Sequence, residues 1–211
     1  MGPGFAIAMC WRPLVAPARA GWHDAAMRLF VALPLPEAVR ECLLDPMEGV
    51  TGVRWQDADN LHITLRFIGD VSRHEADDLA CALADVAWRD LPVALQGVGH
   101  FERKGQPTAI FARVVPSPAL AELQQRTENA CRRAGFAGET RKFIPHVTLG
   151  RLNRSSADIR EWLVRHEALA LGPWQAEGFA LYESVLVPGG SIYTQIEQFP
   201  DPVLPDTVFP N

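Results

Sequence analysis

No apolar run in the 211-residue sequence is long enough to span a bilayer, which excludes a helical membrane crossing within it. Its four cysteines, Cys10, Cys42, Cys81 and Cys131, are scattered, with no C-x-x-C pair and no Cys/His cluster at zinc spacing. A disulfide framework and a zinc module are therefore not indicated, and buried thiols in a reducing, cytoplasmic setting are expected. Asp57, Asp59 and Asp70 do not form a metal set, and no cofactor is implied. A basic excess is also missing. Lys and Arg total 20 against 25 Asp and Glu, a net charge of −5, which argues against a general nucleic-acid binder that neutralises phosphates along a long site. A substrate presenting one phosphate remains compatible with that charge.

Residues 1–26 lack periodicity. Their apolar start is interrupted by Trp11, Arg12, Pro13, Pro17 and Arg19, a poor signal peptide. We expect a disordered extension there, a single folded unit over 27–199, and a loose tail over 200–211, where Pro200, Pro202, Pro205 and Pro210 crowd together.

What the chain does have is a sentence written twice. In Leu61–Phe67, Leu61, Ile63, Leu65 and Phe67 alternate with His62, Thr64 and Arg66, the pattern of a half-buried strand. His62 and Thr64 then share a face, about 7 Å apart along the strand. At Pro145–Leu149 the pattern returns, with His146 and Thr148 on one face. One copy is common by chance; two copies, each on a strand pattern, are not. The charge balance also reverses around the second copy. Arg132, Arg133, Arg141, Lys142, Arg151 and Arg154 stand there against Glu139 alone, although Arg132 and Arg133 also suit the end of a helix.

The remaining chain reads as alternating strands and helices. Arg28–Leu33 is a strand and Pro36–Met47 a helix opened by proline. Ser72 caps a helix over Arg73–Arg89, with Glu75 completing a capping box. Strands follow at Val93–Phe101 and Thr108–Val114. Ser117-Pro118 opens a helix that closes at Gly135. After the second motif, Ser155 or Ser156 caps a helix to about His166, Gly172-Pro173 breaks that helix, and Phe179–Val187 with Ser191–Phe199 forms a hairpin. The order strand, helix, motif strand, helix, strand occurs twice, which suggests an internal duplication in which Thr108–Val114 corresponds to Arg28–Leu33. Pattern alone gives an α+β class.

His-Ile-Thr-Leu and His-Val-Thr-Leu resemble the paired H-x-T-x motifs of the 2H phosphoesterases, and within them the bacterial RNA 2′,3′-cyclic phosphodiesterases, also called 2′-5′ RNA ligases. Arg28–Pro34 is similar to that group's first strand, and the likeness covers roughly 27–199. The resemblance implies two pseudo-symmetric lobes, each a small antiparallel sheet with helices packed outside, facing across a central groove that gathers His62, Thr64, His146 and Thr148. It implies metal-independent hydrolysis of an RNA terminal 2′,3′-cyclic phosphate to a 2′-phosphomonoester, with reversible 2′-5′ ligation as its counterpart. His62 would be the proton donor, His146 the proton acceptor, Thr64 and Thr148 donors to the phosphoryl oxygens, and Arg151 a substrate-binding clamp. Partners would be RNA 3′ ends or small cyclic-phosphate nucleotides, and the protein a monomer.

Arg151 raises a problem of parity. Five residues beyond His146, a regular strand aims it at the opposite face, unless Gly150 permits a bulge. Two other readings stay open: hydrolysis of a small cyclic nucleotide such as ADP-ribose cyclic phosphate, and a non-catalytic RNA-end binding module. His23, His74, His100 and His166 are read as structural. Trp55 and Phe143, close before the motifs, are read as core or rim packing, with stacking on a base as the alternative.

Overall fold

Nine strands and four helices make up most of the described chain, and the computed structural model describes residues 26–188 and 190–200. Nearly all of the expected extension and tail lies outside those residues. In order, the elements are β1 (Met27–Pro34), α1 (Glu37–Leu44), β2 (Arg54–Trp55), β3 (His62–Val71), α2 (Arg73–Ala84), β4 (Leu91–Arg103), β5 (Gln106–Val114), α3 (Pro118–Arg133), β6 (His146–Arg151), α4 (Arg160–Arg165), β7 (Ala170–Ala176), β8 (Phe179–Val187) and β9 (Gly190–Phe199).

The strands run in the order β7-β4-β5-β6-β3-β1-β8-β9, with β2 paired to β6. All pairings are antiparallel. The sheet has two four-stranded halves, and β3 and β6 join them at one bridge, Ile63 with Val147. The expected correspondence of β5 with β1 holds in register, because Thr64 faces Ala32 of β1 and Thr148 faces Phe111 of β5. The last strand of each half crosses over: β4 lies beside β5, whereas β8 lies beside β1.

Local chemistry accounts for the helices. Ser72 accepts from the Glu75 amide while the Glu75 carboxylate accepts from the Ser72 amide, the reciprocal capping box expected. Ser117 caps α3 through the Leu120 amide, with Pro118 in the first turn. Leu79 and Leu83 of α2, and Leu120 and Leu123 of α3, are buried in the same core as Leu29, Val31 and Leu33 of β1. No helix of the described residues is long and apolar enough to cross a membrane.

Three expectations need correction. α4 begins at Arg160 and has no serine cap; Ser156 instead donates to the Gly52 carbonyl at 2.8 Å, tying its loop to the segment before β2. Gly172-Pro173 does not break a helix: α4 has already ended at Arg165, and the pair lies inside β7. β7 is the sheet's edge, where a proline without an amide proton costs no ladder bond. α2 ends at Ala84, five residues early, and Val86 turns back into the core.

Candidate active site

β3 and β6 are antiparallel with Ile63 opposite Val147, so the register sets His62 opposite Thr148 and Thr64 opposite His146. Ile63 and Val147 point into the core and are fully buried, which leaves all four polar side chains on the other face. The two halves pair only at this bridge, and the groove follows that seam.

The imidazoles are held alike. His62 Nδ1 is 2.7 Å from the Asn60 carbonyl and His146 Nδ1 is 2.7 Å from the Ile144 carbonyl, each two residues back. A carbonyl only accepts, so Nδ1 carries the proton and Nε2 of the neutral ring is the reactive nitrogen. The Thr64 hydroxyl lies 3.1 Å from His62 Nε2 and can donate to it.

Aromatic rings pack around both imidazoles. Phe30 lies 4.8 Å from the His62 ring and Tyr193 meets it edge-on at 5.3 Å. Phe101 and Phe111 meet His146 edge-on at 4.8 and 5.3 Å. Gly99 makes room for Phe111, since a Cβ there would stand 2.8 Å from the phenyl ring. Sequence reasoning missed these rings, and the signal available was Phe30 and Phe111 standing in strands that flank the motifs.

Burial pushes the His62 imidazole down to about 4, against the Asn60 carbonyl, which favours the charged form; the positive Arg151, and His146 whenever it is protonated, add to the fall. His146 is lowered by burial as well, and Arg151 contributes. Both rings are therefore neutral near pH 7 in the free protein.

Arg151 reaches the groove because of a bulge. Thr148 faces Phe111 and Gly150 faces Ile110, so Leu149 is an extra residue and the facing inverts beyond it. Gly150 has a second duty: a Cβ there would stand 2.6 Å from Val53 and 3.0 Å from Trp55. β3 carries the same irregularity, with Ala32 facing Thr64 and Val31 facing Arg66, so that Leu65 is extra. Arg66 consequently leaves the histidine face. It is only 9% exposed, 2.9 Å from Glu128 of α3, within 3.3 Å of Glu139, and donates to the Ala137 carbonyl. Phe67, expected in the core, is 53% exposed.

The other expected residues stay apart from the groove or at its rim. His74 sits on α2 within 3.7 Å of Asp78, His100 lies 3.9 Å from Glu102, and His166 packs on Trp162. His23 lies outside the described residues. Phe143 packs against the core, as does Trp55, which also lines a cleft beside Arg151. Among the described residues no three His, Cys, Asp or Glu side chains converge as a metal-ligand set.

A groove carrying two inward histidines and two threonines from pseudo-equivalent strands defines a class of phosphoesterase, and the sequence matches the 2′-5′ RNA ligase superfamily over residues 38–186. The chain belongs to that superfamily. Among its curated relatives is the RNA 2′,3′-cyclic phosphodiesterase of Thermus thermophilus, 32% identical over 186 residues, covering 82% of this chain and 89% of the relative. The Archaeoglobus fulgidus protein of the same name is 29% identical and covers 82% and 99%. A crystal structure of a Thermus thermophilus protein superimposes with a TM-score of 0.69 at 30% identity, over 82% of this chain and 97% of the other.

Proposed function

We propose that the protein hydrolyses the terminal 2′,3′-cyclic phosphate of RNA to a 2′-phosphomonoester, with His62 as proton donor and His146 as proton acceptor. One observation carries this reading. Two imidazoles, each fixed at Nδ1 by a backbone carbonyl, turn Nε2 toward one groove from adjacent strands, each opposite a threonine of the other motif. In-line displacement at phosphorus needs a base on one side and an acid on the other, and this pairing supplies both. The Thermus thermophilus and Archaeoglobus fulgidus relatives, each covering 82% of the chain, are named RNA 2′,3′-cyclic phosphodiesterases, which supports the class of reaction.

The proton steps follow from the tautomers. Water attacks phosphorus and gives its proton to His146 Nε2. The bond from phosphorus to the 3′ oxygen breaks, and His62 Nε2–H protonates that oxygen. Both rings are neutral in the free protein, so His62 takes up its proton as the substrate's negative charge enters, which raises the imidazole's basicity. Once His62 is protonated, Nε2 no longer accepts from Thr64, so its N–H is left for the 3′ oxygen and the Thr64 hydroxyl turns its own proton to a phosphoryl oxygen. Thr148 serves the other side, and Arg151 offsets phosphate charge. Each donor is worth about 2–4 kcal/mol in a pre-organised site. With the 5′-hydroxyl of a second RNA in place of water, giving its proton to His146 as the 3′ oxygen leaves, the same displacement joins RNA ends through a 2′-5′ linkage.

The test is phosphorus NMR of an RNA ending in a 2′,3′-cyclic phosphate, incubated with enzyme with and without EDTA. A 2′-phosphate should form at the same rate in both. A dominant 3′-phosphate rules out the leaving-group geometry, and absence of any monoester leaves a binding module.

A further inference from the structure

Beside the histidines a cleft of ≈ 330 Å³ opens, with Arg54, Gln56, Asp57, Arg151, Ser191 and Tyr193 in its lining. Two of these residues also reach the reacting groups. Tyr193 lies edge-on to His62, and the charge of Arg151 acts on both imidazoles. Cleft and groove are therefore continuous.

The direction of the cleft follows from β2. Arg54 is paired with Arg151 and Trp55 with Gly150. Directly paired residues send their side chains to the same face of a sheet, so Arg54 shares the face of Arg151, which the Leu149 bulge has turned to the side of His146 and Thr148. Trp55, which also borders the cleft, packs its ring toward Trp162. The result is one line of phosphate-seeking groups, His146, Thr148, Arg151 and then Arg54, running from the reacting centre into the cleft. Its two arginines stand against the single acid Asp57, in a chain whose net charge is −5. A volume at the lower end of ordinary ligand sites exceeds what one phosphate fills.

Resting on the phosphodiesterase reading above, we propose that this cleft is the subsite for the nucleotide preceding the terminal one, and that Arg54 binds the internucleotide phosphate. The substrate class is then an oligonucleotide end, and a free cyclic mononucleotide fills only the inner half of the site. Arg54 selects for chain length and takes no part in bond breaking.

Binding of two products tests this independently of turnover: adenosine 2′-phosphate, and the dinucleotide ApA carrying a terminal 2′-phosphate. Wild-type protein should bind the dinucleotide about tenfold more tightly, the worth of one charge-assisted contact. Arg54→Gln, at an exposed position and with its fold checked by circular dichroism, should remove most of that advantage, weakening the dinucleotide far more than the mononucleotide. It should also lower the slope of log affinity against log salt for the dinucleotide by about 0.7. Equal weakening of both ligands, or no preference in the wild type, overturns the subsite. Should cyclic phosphates prove inert while the dinucleotide preference and its loss in Arg54→Gln persist, the proposed activity falls and the subsite stands.

Discussion

Leu65 and Leu149 are equivalent residues of the two motif strands, and each is the residue that the flanking strand skips. Each follows its threonine directly, so the facing rule that places a histidine and a threonine together ends at the same point in both halves. The consequences differ by what stands beyond. In β6 the inversion turns Arg151 to the groove and puts Gly150 against Val53 and Trp55. In β3 it sends Arg66 into the interior and leaves Phe67 outside.

Replacing His62 or His146 by alanine should lower kcat by roughly 10²–10⁴-fold in each case, the usual worth of a positioned acid or base. Neither side chain is in the hydrophobic core, so circular dichroism should show an intact fold. More than a few per cent of residual turnover in either variant removes the acid/base assignment.

Arg151 depresses both imidazoles, which gives it a signature beyond substrate affinity. The profile of kcat/KM against pH should be bell-shaped, with both limbs belonging to the histidine pair and lying below the ordinary value of 6.5. In Arg151→Gln the whole bell should move to higher pH while KM rises. A KM effect with an unmoved bell assigns Arg151 to binding alone.

His62 also links stability to acidity. Its folded value of about 4 lies below the unfolded 6.5, so the unfolded chain binds the extra proton and stability falls as pH drops through that interval. The full displacement corresponds to roughly 3 kcal/mol, and water in the groove screens it to on the order of 2. Urea unfolding of wild type and His62→Gln at pH 7 and pH 4 measures this, because every other titrating group is common to both. The variant should lose less stability than the wild type on acidification; equal losses contradict the buried, neutral imidazole.

Arg66 holds the segment leading to the second motif from the strand carrying the first. Its guanidinium meets Glu128, Glu139 and the Ala137 carbonyl, and Glu139 is held down to about 2, chiefly by Arg141. Arg66→Met leaves the nearly buried Glu128 without its counter-charge and should cost about 3–5 kcal/mol in denaturant unfolding. Adding Glu128→Leu should return much of that loss, since the pair as a whole contributes little net stability. Failure of the second change to compensate would place the cost in packing, not in the orphaned charge.

The sequence by itself determined the two motif strands, their shared polarity and the duplication that relates them. An alternation of period two depends only on which residues must be buried, so Ile63 and Val147 inward and His62, Thr64, His146 and Thr148 outward were legible without a partner strand. The capping serines Ser72 and Ser117 were legible for the same local reason. Tertiary structure decided the rest. A bulge exists only against a neighbouring strand, so the positions of Arg66, Phe67 and Arg151 followed from the pairing of β3 with β1 and of β6 with β5. Gly172-Pro173 is compatible with a strand only because β7 found the edge of the sheet. The depression of the histidines came first from burial, and Phe30, Tyr193, Phe101 and Phe111, remote in sequence, meet the imidazoles only once the sheet is assembled.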